Sequence, residues 1–260
     1  MAATDHDDHR KESERQFHDT CFQHEARTSV DKYYAGTRAS VRHFRAAVAA
    51  HCEGRRLLEY GCGPEPHALA IARQAASITG IDISPVAIER ARERAAQEGH
   101  DNLTFVVMDA ERLEFPDNYF DLVYGSAILH HLELETSVRE IARVLKPDGV
   151  AVFYEPMGHN PAINLFRRAT PAIRTPDEHP LKLAELDLLR RFFGDASFIF
   201  YHFLSLLAVP LVGRRMFERL LSGFDAVDRA LFDHLPGAKR LAWFVVMTLE
   251  RPNKSPTRSS

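Results

Sequence analysis

Between Leu57 and Tyr154, short apolar runs alternate with helix-period patterns, and this alternation constrains the chain more than any other feature. Leu57-Leu58-Glu59-Tyr60, Ser77–Ile83, Leu103–Met108, Phe120–Tyr124 and Val150–Tyr154 read as successive strands. Their apolar residues run on rather than alternate, as in strands covered on both faces. The stretches between them read as helices. Ala68–Ala76 is the first. Ser84 suits the N-cap of the next, and Pro85 its first helical position, with Ile88, Ala91 and Ala95 as the inner stripe. Val138, Ile141, Ala142 and Leu145 share one helical face. Lys146-Pro147-Asp148-Gly149 should end that helix, since Pro cannot continue it and Gly is free to take a positive φ. Such a chain is α/β, with a mostly parallel sheet, helices on both faces, and a ligand crevice beyond the carboxyl ends of the strands.

Chemistry is therefore sought at strand ends. Glu59-Tyr60-Gly61-Cys62-Gly63 lies where the first strand turns towards a helix, and its glycines let a ligand approach the backbone closely. Asp82 ends the second strand, roughly 20 residues after Gly61, where a carboxylate can accept the two hydroxyls of a ribose. Asp109-Ala110 follows the third strand and could face an adenine edge. Three acids at three successive strand ends form a joint signal that none gives alone. They also separate cofactors. A dinucleotide pyrophosphate beside Glu59 would be repelled, and Pro66 stands where a dinucleotide fingerprint has its third glycine. S-adenosylmethionine, a sulfonium with an ammonium and no phosphate, suits the acid better.

With these motifs in place, the stretch Leu57 to Glu155 resembles class I S-adenosylmethionine-dependent methyltransferases. It is most similar to the methyltransferase-11 type, which includes the ubiquinone and menaquinone biosynthesis enzymes. The resemblance is carried by Leu58 to Gly63, Gly80 to Ser84, Asp109-Ala110, Phe115 to Val123, Leu129-His130-His131-Leu132 and Arg143 to Gly149. It implies a Rossmann-like seven-stranded sheet. It also implies that Glu59 anchors the methionine ammonium and that Gly61, Cys62 and Gly63 line the aminoacyl part. Asp82 would hold the ribose, Ile83 would pack on adenine, Asp109 and Ala110 would read its edge, and Ser126 and Ala127 would close the methionine side. One departure is Glu65, set between Pro64 and Pro66 where family members often have Gly. Binding then requires that the Glu65 side chain point outward.

The acceptor is less legible. A hydroxyl or acidic carbon must lose a proton, and His130, His131 and His159 are the candidates for taking it, against packing or capping roles. Tyr33, Tyr34, Glu155 and His179 are candidates for contacting the acceptor. Tyr124-Gly125-Ser126-Ala127 lacks the Asn or Asp, two prolines and aromatic of nucleobase-methylating enzymes, and the net charge of -3 offers no general attraction to nucleic acid. No metal-ligand spacing is present. The expected activity is methyl transfer to an oxygen or carbon of a small metabolite, lipophilic or not. The alternatives are a nicotinamide-dependent oxidoreductase and a non-catalytic binding protein on the same fold.

Residues 1–15 read as a disordered tail, 16–54 as a helical lid, 55–155 as the cofactor core, 156–252 as the acceptor side with the last strands, and 253–260 as a second tail. Two further apolar runs, Ser197–Phe203 and Trp243–Glu250, are by the same resemblance expected to pair as adjacent strands at one edge of the sheet, the later one antiparallel beside the fifth. Between them Leu204–Pro236 forms an apolar helical insertion, expected to roof the acceptor pocket. Core packing, a dimer contact and a membrane-surface contact are its other readings. Three scattered cysteines and no apolar leader suit a reduced, cytoplasmic setting.

Overall fold

The five parallel strands expected from the alternation form in order: Arg56–Tyr60 (β1), Ser77–Asp82 (β2), Leu103–Val107 (β3), Phe120–Ser126 (β4) and Leu145–Pro156 (β5). Phe193–Tyr201 (β6) and Phe244–Pro252 (β7) complete a seven-stranded sheet of order β3-β2-β1-β4-β5-β7-β6. β7 is inserted antiparallel between β5 and β6, as the family resemblance implied. The structure, a computed structural model, describes residues 10–20, 35–170 and 178–254.

Residues 10–20 are helical (α1). The other helices are Arg38–Ala49 (α2), Ala68–Ile71 (α3), Pro85–Glu98 (α4), Leu134–Val144 (α5), Pro161–Ala169 (α6), Leu183–Phe192 (α7) and Phe217–His234 (α8). Successive strand residues feed opposite faces of the sheet. Leu57, Leu122, Val150 and Val246 join Phe44 and Val48 of α2 and Ile88 and Ala91 of α4 in one core. Leu58, Val123, Ala151 and Val245 join Val138 and Ile141 of α5 and Leu186 and Leu189 of α7 in the other. Burying one Leu or Val side chain contributes roughly 1.5–3 kcal/mol, so each strand secures both layers at once.

Local signals explain most boundaries. The Ser84 hydroxyl accepts the Ala87 N–H at 3.1 Å and Pro85 opens α4, while Gly99 closes it with φ 70°. Three expectations are corrected. The first helix runs only over Ala68–Ile71, because the Gln74 and Ala75 N–H groups bond three residues back, to Ile71 and Ala72, and Ala76 N–H turns to the Arg55 carbonyl at 2.9 Å. Gly149 is not in the left-handed region. A side chain there would instead put Cβ 2.9 Å from the Lys146 carbonyl oxygen. Residues 10–15, expected in a tail, are helical because Arg10 and Lys11 pair with acids of the core.

The stretch between β6 and β7 consists of a 3-10 segment Leu204–Leu211, then α8, then a 3-10 turn Pro236–Leu241. It is tied down by buried Asp228, whose carboxylate accepts the N–H groups of Phe203, Leu204 and Ser205 at 2.8–3.1 Å. Ala208, Phe217 and Leu221 form a small core of their own with Ala35 and Leu211.

Candidate functional site

The sheet order reverses between β1 and β4, and there the carboxyl ends of the strands open into a cavity of about 660 Å³. Its floor is the turn after β1. Gly61 and Gly63 have φ 71° and 60°, a region that costs side-chain-bearing residues energy. At Gly61 a Cβ would also lie 2.7 Å from the Ile128 side chain, whereas at Gly63 it would meet nothing, leaving that backbone open to a ligand. Gly125 of β4 is equally constrained, since a Cβ would sit 2.7 Å from the Tyr60 carbonyl oxygen.

Glu59 projects from β1 into this floor. Its carboxylate caps α3, accepting His67 N–H at 2.7 Å and Ala68 N–H at 2.8 Å, and it accepts the Tyr124 hydroxyl at 3.2 Å. Burial pushes its pKa up to about 7 against the pull of these donors. Asp82 accepts Gly63 N–H and Ser84 N–H, both at 2.9 Å, so the second strand's acid braces the glycine turn of the first. Burial raises its pKa as well. Asp109 accepts Glu111 N–H at 2.8 Å, and the Tyr60 hydroxyl donates to the Ala110 carbonyl. Glu65 is largely exposed and pairs with Arg94 at 3.1 Å, and both stand among the residues that line the cavity.

The helix α1 lies across this rim. Lys11 Nζ is 2.9 Å from Asp109 and 3.0 Å from Glu111, Arg10 donates to Glu111 at 2.6 Å and to the His131 carbonyl at 2.9 Å, and the Ser84 hydroxyl donates to Asp19. One turn further along α1, Glu14 Oε2 lies 3.2 Å from His131 Nδ1 and 3.4 Å from His18 Nε2. Glu14, His18 and His131 each bring one ligand atom within 4.8 Å of the others, as do His130, His131 and Glu178. These are the sets among the described residues that could hold a metal.

Beneath His131, the His130 ring lies 4.1 Å away between centroids, and its Nδ1 bonds Glu155 at 2.8 Å. Glu155 is fully buried and also accepts Ile128 N–H and Leu129 N–H at 2.8 and 2.9 Å. Burial drives this pair towards neutrality: Glu155 rises to about 7, and His130 falls well below the ordinary imidazole value.

All ten residues expected to hold the cofactor line this one cavity: Glu59, Gly61, Cys62, Gly63, Asp82, Ile83, Asp109, Ala110, Ser126 and Ala127. Of the three candidate histidines only His131 does. His130 lies behind it. His159 sits elsewhere, with Nε2 accepting Leu183 N–H at 3.0 Å, because the chain turns away after β5 to start α6. Glu155 faces the backbone of the β4–α5 loop rather than the cavity, and His179 is 3.2 Å from Glu185 on α7. Tyr33 and Tyr34 lie outside the described residues. No residue of the 204–236 insertion lines the cavity, so the expected roof is not there: Ala208, Phe217 and Leu221 pack in a cluster of their own, while Leu206 joins one main core and Phe232 the other. Sequence reading missed Arg10, Lys11, Glu14 and His18, and also Val41, Phe44 and Arg45 of α2, all lining residues. The Glu14–His18 spacing of one helical turn is the available signal, split by a boundary that puts Glu14 in the tail and His18 in the helical lid.

Residues 58–153 match the family described as "Methyltransferase domain". A sterol 24-C-methyltransferase of Aspergillus fumigatus is 40% identical over 116 residues, 44% of this chain and 31% of that protein. A 27-O-demethylrifamycin SV methyltransferase of Amycolatopsis mediterranei is 40% identical over 99 residues, 37% of this chain and 36% of that protein. The chain thus spans about a third of the length of the curated relatives it matches. Among solved structures, the [4+2]-cyclase SpnF superposes with TM-score 0.55 at 25% identity, covering 81% of this chain and 80% of that one. Geranyl diphosphate C-methyltransferase from Streptomyces coelicolor superposes with TM-score 0.58 at 14% identity, covering 82% and 79%, a likeness of fold.

Proposed function

We propose that this chain, which carries a class I S-adenosylmethionine-dependent methyltransferase domain over residues 58–153, transfers a methyl group to an oxygen or carbon of a small metabolite, with His131 taking the acceptor's proton. The observation that carries the reading is the convergence of Glu59, Asp82, Asp109 and His131 on a single cavity.

The residues present fit the cofactor. The open backbone at Gly63 accepts close approach of an aminoacyl group, Glu59 offers a buried carboxylate to an ammonium, and Asp82 stands ready for ribose hydroxyls. Ile83 and Ala110 supply apolar surface for a base. When bound, S-adenosylmethionine supplies an electrophilic methyl group on a sulfonium. The chain's own work is alignment, exclusion of water and management of one proton.

That last task falls to His131. Glu14, carried in by α1, lies 3.2 Å from its Nδ1 on the side of the ring that faces the helix. His130 and Glu155 serve as positioning residues: they hold the Ile128–Leu129 backbone from which His131 projects. The small-molecule and lipid methyltransferases among the relatives and similar structures support an acceptor of this class. A second reading, favoured by the cyclase among the similar structures, is a protein that keeps the cavity and transfers nothing.

Calorimetry with S-adenosylmethionine and with NAD, followed by release of S-adenosylhomocysteine over a metabolite panel, tests the proposal. Binding of the first ligand alone, with acceptor-dependent product, is expected. NAD binding in its place would overturn the cofactor assignment. Cofactor binding with an acceptor consumed and no methyl lost would favour the second reading.

A further inference from the structure

The stretch that does not roof the cavity has an outer surface of its own. From Val212 to Met216 five consecutive residues are exposed, Val-Gly-Arg-Arg-Met, preceded by exposed Leu207 and Pro210 and followed by exposed Arg219. Leu207 and Met216 are each 62% exposed, unusual for large apolar side chains in a chain whose other apolar groups are mostly packed. Single exposed apolar residues need no explanation, but a run of them around a tight turn does. The turn itself is set by Gly213 at φ 84°, where a side chain would be strained.

The charge of this run is one-sided. Among the described residues, Arg214, Arg215 and Arg219 form no ion pair, and the one acid of the run, Glu218, is held by Arg38. The chain as a whole carries a net charge of -3, so this is a local basic patch on an acidic molecule. We propose that Leu207, Val212 and Met216, with Arg214, Arg215 and Arg219 beside them in the same exposed stretch, dock the protein on an anionic lipid surface.

The composition selects this occupant. Apolar side chains flanked by arginines match an interface where acyl chains lie beneath anionic headgroups. A second copy meeting the same patch across a two-fold axis would set arginines against arginines with no acid to separate them. A nucleic-acid backbone would satisfy the arginines but leave Leu207, Val212 and Met216 in water. The attachment is peripheral: among the described residues, no helix is long and apolar enough to cross a membrane. The patch also adjoins the cavity wall. Phe217 and Glu218 at the start of α8 contact Arg38 of α2, and α2 supplies Val41, Phe44 and Arg45 to the cavity. An acceptor dissolved in the bilayer would be met beside the helix that borders the site. The docking itself does not depend on which acceptor is used.

The test is flotation of the full chain with phosphatidylcholine vesicles, with and without phosphatidylglycerol. Binding to the anionic vesicles only, weakened by added salt, is expected. Arg214→Glu/Arg215→Glu/Arg219→Glu should cut that binding by at least about tenfold, and Leu207→Ser/Met216→Ser should lower it independently. Both variants change exposed side chains, and unchanged affinity for S-adenosylmethionine verifies their folding. Failure of the wild type to float with anionic vesicles overturns the proposal, as does equal binding by the charge-reversed variant. Sedimentation showing a wild-type dimer that the variants dissociate, with no vesicle binding, would assign the patch to a second copy instead.

Discussion

Glu14 Oε2 lies 3.2 Å from Nδ1 of His131, across a gap that joins the N-terminal helix to the loop after β4. The sequence separates these residues widely; the fold gives the candidate base its carboxylate only when α1 is in place. His131→Ala should therefore reduce turnover by about 10²–10⁴-fold. Glu14→Gln should reduce kcat by roughly tenfold, with the affinity for S-adenosylmethionine nearly unchanged. Steady-state kinetics with calorimetry in parallel separates the two effects, and an unaltered kcat in both variants would remove His131 from the proposed role.

Asp82→Ala is expected to weaken S-adenosylmethionine binding by at least about 1–3 kcal/mol, because polar ribose hydroxyls lose their acceptor. It should also lower thermal stability, since the Gly63 and Ser84 N–H groups lose theirs. Asp82→Asn, which keeps one carbonyl oxygen, should fall between. Calorimetry and thermal melting check the two losses separately.

Cofactor affinity should depend on pH near neutrality. The Glu59 carboxyl, raised by burial to about 7, is partly protonated at pH 7 in the free protein, and a cationic ammonium favours its ionised form. Affinity should thus fall as pH drops below about 7 and level off above it. Glu59→Gln should bind weakly at all pH values and lose the slope. Titrations from mildly acidic to mildly alkaline pH would read this out, and a wild-type slope that survives the substitution assigns it to another group.

Glu155→Ala should destabilise the fold by about 2–4 kcal/mol, since it orphans two buried N–H groups and the His130 ring nitrogen. Glu155→Gln should cost much less. The wild-type carboxyl is raised from an ordinary value of 4.5 to about 7, so the folded state holds this proton more tightly than the unfolded chain does. Its contribution to stability is greatest below pH 4.5 and is lost as pH rises towards 7. Denaturant melts across that window should show a flatter profile for the Gln variant.

Gly125→Ala should fold poorly. Its Cβ would meet the Tyr60 carbonyl oxygen at 2.7 Å and the Phe153 ring at 2.8 Å, between strands that cannot separate. A loss of about 1–3 kcal/mol, the usual cost of overpacking, is expected in equilibrium unfolding.

What was legible in the sequence follows from the range of the forces involved. The core strands, the Ser84–Pro85 helix start and the strand-end acids are written in neighbouring residues, and the ten cofactor positions all reach one cavity. The alternation of Leu57 and Leu58 between two cores is likewise a local property. The acceptor end is different. Which of two adjacent histidines faces the cavity depends on Glu155, 25 residues on from His130, drawing one ring backwards. The role of α1 depends on Asp109 and Glu111, about a hundred residues away, neutralising Lys11 and Arg10. Charge-rich stretches look alike whether they meet water or a partner, so the sequence of residues 10–15 does not distinguish a docked helix from a tail.

The place of β7 between β5 and β6 bears on the order in which the molecule can assemble. As the chain emerges from a ribosome, β1 to β5 can pair while synthesis continues, but β6 has no neighbour until residues 244–252 have been made. Until then the far edge of β5 and the whole of β6 expose unpaired N–H and C=O groups, a template for any other extended chain. The insertion lengthens that wait by about thirty residues, or a few seconds at common synthesis rates. Loss or delay of β7 would therefore open two sticky edges at once, and the nascent protein is most exposed to aggregation between the completion of β6 and the arrival of β7.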